Sequence, residues 1–114
     1  MPYDLEERTA QFSEKSIAFA RSIKKDAISI PLITQFVRSA TSIGANYTEA
    51  VNASSKKDFR NKICISKKEA QETKYWLRLF TGNESDTHTK NFLEKESQEL
   101  IMIFQKIISS CDKK

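Results

Sequence analysis

The amino-acid sequence predicts an all-α protein: an antiparallel, up-down-up-down four-helix bundle formed by one domain, residues 1–114. Apolar residues recur at three- and four-residue steps over four long segments, which is the periodicity of amphipathic helices. Glycine and proline number only two each, so the chain has few places to turn. Long helices joined by short links pack against their neighbours in sequence, and this favours a bundle.

The first helix is predicted over residues 4–25. Acidic residues lie in its first turn and Lys24 and Lys25 in its last, and both placements stabilise the helix dipole. Its predicted core face consists of Leu5, Thr9, Phe12, Ser16, Phe19 and Ile23.

The second helix is predicted over residues 30–52, with Ser29 as its N-cap and Pro31 in its first turn. Its later half presents small residues on one face, and a glycine inside a helix costs about 1 kcal/mol relative to alanine. We interpret this face as a helix-packing or oligomer interface. The alternative is a groove for a ligand or partner. The face includes Ala40, Ile43, Gly44 and Tyr47.

The third helix is predicted over residues 55–80, where Ser55 and Asp58 resemble a capping box with aspartate in place of glutamate. The link before it is so short that the second and third helices should form an antiparallel hairpin. Trp76 lies beside its core face and is interpreted as a packing or subunit-interface anchor. The core face itself is predicted to contain Phe59, Ile63, Ser66, Ala70, Thr73, Leu77 and Phe80.

The fourth helix is predicted over residues 88–110, after a stop at Gly82 and a polar loop over residues 82–87. Its predicted core face consists of Leu93, Leu100, Ile103, Phe104, Ile107, Ile108 and Cys111.

The positive charge of the chain is concentrated on the third helix. The formal net charge is +4, and residues 55–80 alone carry eight basic and three acidic side chains. Basic side chains along one face bind phosphate backbones, and an aromatic side chain can stack on an unpaired base. We predict a nucleic-acid site on the face opposite the core; the alternative is a solvated helix face. The residues of this basic face are Lys57, Arg60, Lys67, Lys74, Tyr75 and Arg78.

Four charged residues lie next to small or apolar positions of the second and third helices: Arg38, Glu49, Glu69 and Glu72. An unpaired buried charge is costly, so we expect a structural ion-pair network in which Arg38 pairs with Glu69 or Glu72. A catalytic carboxylate pair is the alternative, and no histidine, metal cluster or nucleophile accompanies it.

Several function classes are not expected from this sequence. No apolar run is long enough to span a membrane and no signal peptide begins the chain, which favours a cytoplasmic protein. Cys64 and Cys111 are expected to be free thiols, and His88 an exposed loop residue without metal ligands at suitable spacing. A glycine-rich phosphate loop, a Cys-x-x-Cys pair and a Ser/His/Asp set are all missing, so we expect no enzyme, no metal and no cofactor.

Three segments of the sequence resemble a known bacterial family. These are residues 35–50 (QFVRSATSIGANYTEA), the pair at 58–59 and residues 68–77 (KEAQETKYWL), and the opening Leu-x-x-Arg-Thr-x-x-Phe at 5–12 fits as well. Together they resemble the four-helix-bundle proteins named for genes inside 23S rRNA intervening sequences, over residues 5–80. The resemblance implies a homopentameric ring of bundles. A relative in the same fold class, the accessory variability protein of diversity-generating retroelements, implies binding to nucleic acid and to a reverse transcriptase.

We therefore expect a non-enzymatic accessory protein that binds the backbone of RNA or DNA through the basic face in a homo-oligomeric ring. A protein partner such as a reverse transcriptase is a further expectation. The alternative is a protein-interaction scaffold with an acidic partner and no nucleic-acid role.

Overall fold

The computed structural model describes residues 4–81 and 87–113, and most of them lie in four α-helices. Each helix packs against the helices next to it in the chain, and α1 also packs against α4. The molecule measures 49 × 24 × 19 Å, and the predicted all-α four-helix bundle is confirmed. The helices are α1 (Leu5–Ser22), α2 (Ser29–Val51), α3 (Lys56–Leu79) and α4 (Thr87–Cys111).

Side-chain caps fix the beginnings of α1 and α3. The backbone N–H of Glu7 donates to the Asp4 carboxylate (3.0 Å), and that of Asp58 donates to the Ser55 hydroxyl (3.0 Å). The Asp58 carboxylate accepts from the Ser54 hydroxyl (3.1 Å). Ser55 therefore caps α3 as the sequence indicates, while the aspartate side chain bonds one residue further back.

The first helix is shorter than predicted, because Lys25 caps its end from outside. The helix ends at Ser22, and Ile23 continues in extended backbone with its side chain buried. The Lys25 ammonium then donates to the carbonyls of Ala20 (3.1 Å) and Arg21 (3.0 Å) in the last turn, and the Ala20 carbonyl also accepts from the Ile23 N–H (3.3 Å).

Asp26, and not Ser29, prepares the start of α2. The Asp26 carboxylate accepts from the backbone N–H groups of Ile28 (2.9 Å) and Ser29 (2.8 Å). These hydrogen bonds to the ionised carboxylate lower the pKa of Asp26 below its ordinary 3.8. The Ser29 hydroxyl donates back to the Lys24 carbonyl (2.7 Å), and Ser29 is itself the first residue of the helix. The prediction of Ser29 as N-cap is wrong, since an aspartate three residues earlier satisfies the free N–H groups.

The core contains aromatic and hydroxyl layers. Phe19, Phe36 and Phe80 contact one another edge-to-face with ring centroids 5.6–5.9 Å apart. Deeper in the α2–α3 contact the buried Ser66 hydroxyl donates to the Ile43 carbonyl (3.0 Å). Small hydroxyl residues thus let α2 and α3 approach closely while their polar atoms stay satisfied.

Two predictions concern the C-terminal ends of α3 and α4, the burial of Cys111 and the stop at Gly82. The sequence predicts Cys111 on the core face, but it is exposed at the last turn of α4. The core ends one turn earlier, at Ile108. The predicted stop at Gly82 and most of the predicted loop lie outside the described residues.

Gly44 lies at a close approach of α1 and α2. A Cβ atom at this position would lie 3.1 Å from Thr9 Oγ1 and 3.2 Å from Thr9 Cβ. The Thr9 hydroxyl donates to the Leu5 carbonyl (2.7 Å), which holds the threonine in this position. Gly44 is therefore needed for close helix contact, in keeping with the packing interpretation of the small face.

We predict that Gly44→Val lowers the free energy of unfolding by about 1–3 kcal/mol, because the added methyl groups would overlap Thr9. Ala45→Val is the matched control at the neighbouring exposed position, where only the small cost of a β-branched residue in a helix applies. Urea unfolding followed by circular dichroism measures both. Equal losses in the two variants would show that α1 does not constrain Gly44.

Candidate nucleic-acid interface

Three cations of the basic face reach across to α4, so this face is not opposite the core as predicted. It lies along the groove between α3 and α4, because α4 packs beside that flank of α3 and long side chains span the gap. The cations follow one another at seven-residue steps on α3, and their partners do the same along α4 in the opposite direction, the last of them, Asp112, lying one residue past the end of that helix. The contacts are Arg60 with Asp112 (2.7 and 2.8 Å), Lys67 with Gln105 (2.6 Å) and Lys74 with Gln98 (2.7 Å).

The α4 partners divide the three cations into two kinds. Lys67 and Lys74 donate to neutral amide oxygens, so each keeps its full positive charge while its side chain is held in place. Arg60 is paired with a carboxylate, which offsets its charge. The groove therefore holds two ordered lysines whose charge is not neutralised by α4.

The Arg60–Asp112 pair ties the end of α4 to the beginning of α3. Arg60 forms a bidentate contact with the carboxylate, and its other nitrogen lies 3.6 Å from Cys64 Sγ. Hydrogen bonding to Arg60 lowers the pKa of Asp112 below its ordinary 3.8 and raises the pKa of the guanidinium in turn. Both side chains are open to solvent, so this contact positions α4 more than it stabilises the fold.

The remaining members of the basic face lie nearer the two ends of the groove. Tyr75 is 55% exposed and contacts Trp76 edge-to-face, with ring centroids 5.2 Å apart. Lys57 and Arg78 form no ion pair within residues 4–81 and 87–113. A cavity of about 520 Å³ lies at the Tyr75 end, and one of about 580 Å³ lies at the Lys57 end.

The predicted ion-pair residues lie on the other flank of α3, against α2. Arg38 lies 3.3 Å from Glu69 Oε1 and 3.0 Å from Glu72 Oε1. The Glu69 side chain is only 8% exposed. Arg38 donates a long hydrogen bond to its Oε2 (3.5 Å), while its Oε1 has no hydrogen-bond partner among the described residues. Glu49 does not join this group and pairs separately with Lys62 (2.7 Å).

The residues of the small face lie mainly inside the bundle. Ala40 and Ile43 are fully buried, and Tyr47 is buried with its ring 6.2 Å from that of Phe104. Burial raises the pKa of Tyr47 above its ordinary 10.0. Trp76 is partly buried against the core, and its indole N–H has no hydrogen-bond partner among the described residues. Within a single bundle these side chains contribute to the packing of the core.

Other site types receive no support from the part of the chain that the structure describes. That part contains no cluster of histidine, cysteine and acidic residues able to hold a metal ion. None of its helices is long and apolar enough to cross a membrane. Cys64 and Cys111 are free thiols, and His88 is exposed in the first turn of α4, not in a loop.

Sequence reasoning missed the α4 side of the groove. Gln98, Gln105 and Asp112 are exposed polar residues that, taken singly, resemble any solvated surface. These residues are spaced seven apart, as are the cations of α3. Two antiparallel helices in contact place residues with the same spacing opposite one another, so this shared spacing could have predicted the contacts.

A family model described as the 23S rRNA-intervening sequence protein matches residues 3–109 of the chain. The chain is also similar to the crystal structure of a protein of unknown function from the S23 ribosomal protein family of Bacteroides thetaiotaomicron. The two are 30% identical with a TM-score of 0.78, over 90% of this chain and 96% of that one. No curated protein matches the chain.

We predict that Arg38→Met lowers the free energy of unfolding by about 1–3 kcal/mol, because it leaves the buried Glu69 carboxylate without a cation. The effect should stay below that of a fully buried pair, since the Arg38 side chain is 46% exposed. Adding Glu69→Gln to this variant should recover part of the loss, because the only charge then left without Arg38 is that of Glu72, which is 37% exposed to solvent.

Lys62→Met serves as the control, because it breaks the exposed pair with Glu49 and should cost less than about 1 kcal/mol. Urea unfolding measures stability, and light scattering measures the mass of the assembly. An Arg38→Met protein with unchanged stability and mass would contradict the structural role of Arg38.

Proposed function

Because the chain belongs to the 23S rRNA-intervening sequence protein family, we propose that it is a non-enzymatic accessory protein of the cytoplasm that binds nucleic acid. In this proposal the basic face of α3 holds the phosphate backbone of RNA or DNA. The observation that carries it is the pair Lys67 and Lys74, which are ordered by neutral amides and keep their full charge.

Ordered lysines bind an anion at a lower entropic cost than free ones. Fixing a long side chain costs up to about 2 kcal/mol, and here the solvent-exposed hydrogen bonds to α4 offset part of that cost before any ligand arrives. A carboxylate could order the same lysines, but it would cancel the charge that attracts phosphate. Glutamine at both positions orders them without this loss.

The spacing of the cations suits a backbone without sequence readout. Steps of seven residues correspond to about 10 Å along a helix, and Lys57 to Arg78 span about 30 Å. At about 3.4 Å per nucleotide this length accommodates about nine nucleotides. The other side of the groove adds the carboxylates of Glu94 and Asp112. The cations of the basic face outnumber these two carboxylates, so the net charge of the groove stays positive.

A ring of identical subunits would strengthen such contacts. The family resemblance implies a homopentamer, and five copies of a weak site bind one long nucleic acid far more tightly than one copy does. Assembly also offers a cover for apolar side chains that a single chain leaves exposed, among them Ile30 and Met102.

A protein partner is the second candidate, favoured by the exposed apolar residues at one end of the bundle. Ile28 is 75% exposed there, and Ile30 and Leu79 are exposed at the same end, where α1 and α3 end and α2 and α4 begin. Phe92, also exposed, lies in the second turn of α4, with the Lys15 ammonium over its ring. A partner such as a reverse transcriptase could bind this end while the basic face holds nucleic acid. A scaffold without nucleic acid would instead use the basic face for an acidic protein.

We predict that the wild-type protein binds single-stranded nucleic acid with an affinity that falls steeply as salt rises. The variant Lys67→Gln/Lys74→Gln should bind more weakly, and its log–log salt slope should be smaller by about 1.4, because two phosphate contacts are lost. Fluorescence anisotropy over a salt series measures both quantities.

The control Arg21→Gln/Lys24→Gln removes the same charge from exposed positions near the end of α1, which does not pack against α3. It should retain the wild-type slope. Absence of binding at low salt, or equal slopes in the two variants, would contradict the proposed site and favour the scaffold.

A further inference from the structure

We propose that the cavity at the Tyr75 end of the α3–α4 groove binds one unpaired guanine base of the nucleic acid. This inference rests on the proposed function and specifies which nucleotide the groove prefers. The cavity is widely open to solvent and measures about 520 Å³. It is lined by Gln71, Lys74, Tyr75, Arg78, Glu94, Gln98 and Ile101.

A flat surface for stacking is present. Tyr75 is 55% exposed although its ring is held edge-to-face by Trp76. Ile101 adds an apolar wall from α4. Proteins that bind single strands place unstacked bases on such exposed aromatic rings. The cavity therefore suits a planar ring better than a bare phosphate.

The charged residues of the cavity are not paired with each other. Arg78 and Glu94 both line it, and neither forms an ion pair within the described ranges 4–81 and 87–113. An ionised carboxylate only accepts hydrogen bonds, and a guanidinium only donates them. A ligand that fits both carries hydrogen-bond donors on one side and an anion on the other, as a nucleotide does.

The carboxylate selects among the bases. Guanine presents two adjacent donors, N1–H and the N2 amino group, which suit the two oxygens of one carboxylate. Adenine and cytosine each place an acceptor next to their amino group, and uracil has a single N–H between two acceptors. Glu94 therefore favours guanine over the other three bases.

The amides of the cavity complete the match. The Gln98 oxygen accepts from Lys74 (2.7 Å), which leaves its amino group free to donate. Gln71 has no hydrogen-bond partner among the described residues. Either amide can donate to guanine O6, while Lys74 and Arg78 contact the phosphates on either side of the base. The pocket is thus continuous with the basic face.

The test compares three uridine oligonucleotides of about nine nucleotides, the length of the groove. One contains only uridine, one has a single central guanosine, and one has inosine at that position, which lacks the N2 amino group. A single guanosine avoids the self-association of guanine runs. Fluorescence anisotropy at fixed salt should give about tenfold tighter binding with guanosine, and inosine should lose most of this gain.

The variant Glu94→Gln should lose the preference for guanosine while binding the all-uridine strand at least as well as the wild type. Glu99→Gln removes the same charge from the same helix outside the groove, and should keep the preference. Equal binding of the three strands by the wild type, or a preference that survives in Glu94→Gln, would overturn the guanine pocket and leave backbone binding intact. Absence of binding to every strand at low salt would overturn both proposals.

Discussion

The register between α3 and α4 is the constraint on which the candidate site depends. Seven-residue steps on the two antiparallel helices bring Lys67 opposite Gln105 and Lys74 opposite Gln98. A shift of one residue in either helix would separate these pairs, and the lysines would then extend into solvent as ordinary surface side chains. The buried residues Leu93, Leu100 and Phe104 hold α4 in this register from the core side.

The two flanks of α3 use charge in different ways. Toward α2, its acidic side chains Glu69 and Glu72 meet Arg38, and the basic Lys62 meets Glu49. Charges on that flank offset one another across the helix contact. Toward α4, two lysines meet neutral amides. The excess positive charge of the helix is therefore displayed at one groove of the molecule, as a backbone-binding surface requires.

The sequence predicts the four helices well because their apolar periodicity is long and unbroken, and it predicts the Ser55 cap because serine precedes a clear helical pattern. It does not predict the end of α1, since Lys25 looks like a residue of the last turn although it folds back onto the carbonyls of that turn. The sequence predicts on which face of its helix a residue lies, but it does not predict which residues of another helix contact that face. For this reason the sequence places the basic face opposite the core, whereas in the structure three of its cations contact the α4 side of the groove. The pairing of Arg38 with two glutamates could be expected from the cost of unpaired buried charge, while the separate Glu49–Lys62 pair depends on the tertiary register.

The role of the neutral partners on α4 is tested by exchanging both amides for carboxylates in Gln98→Glu/Gln105→Glu. This variant keeps both lysine contacts and the shape of the groove but cancels the charge of Lys67 and Lys74. We expect a fold of unchanged or greater stability and a loss of nucleic-acid binding at low salt. Gln11→Glu/Gln35→Glu, which adds the same charge at exposed positions of α1 and α2, should bind nearly as the wild type does. Undiminished binding by the Gln98→Glu/Gln105→Glu protein would contradict the claim that neutral partners on α4 make α3 a site for phosphate.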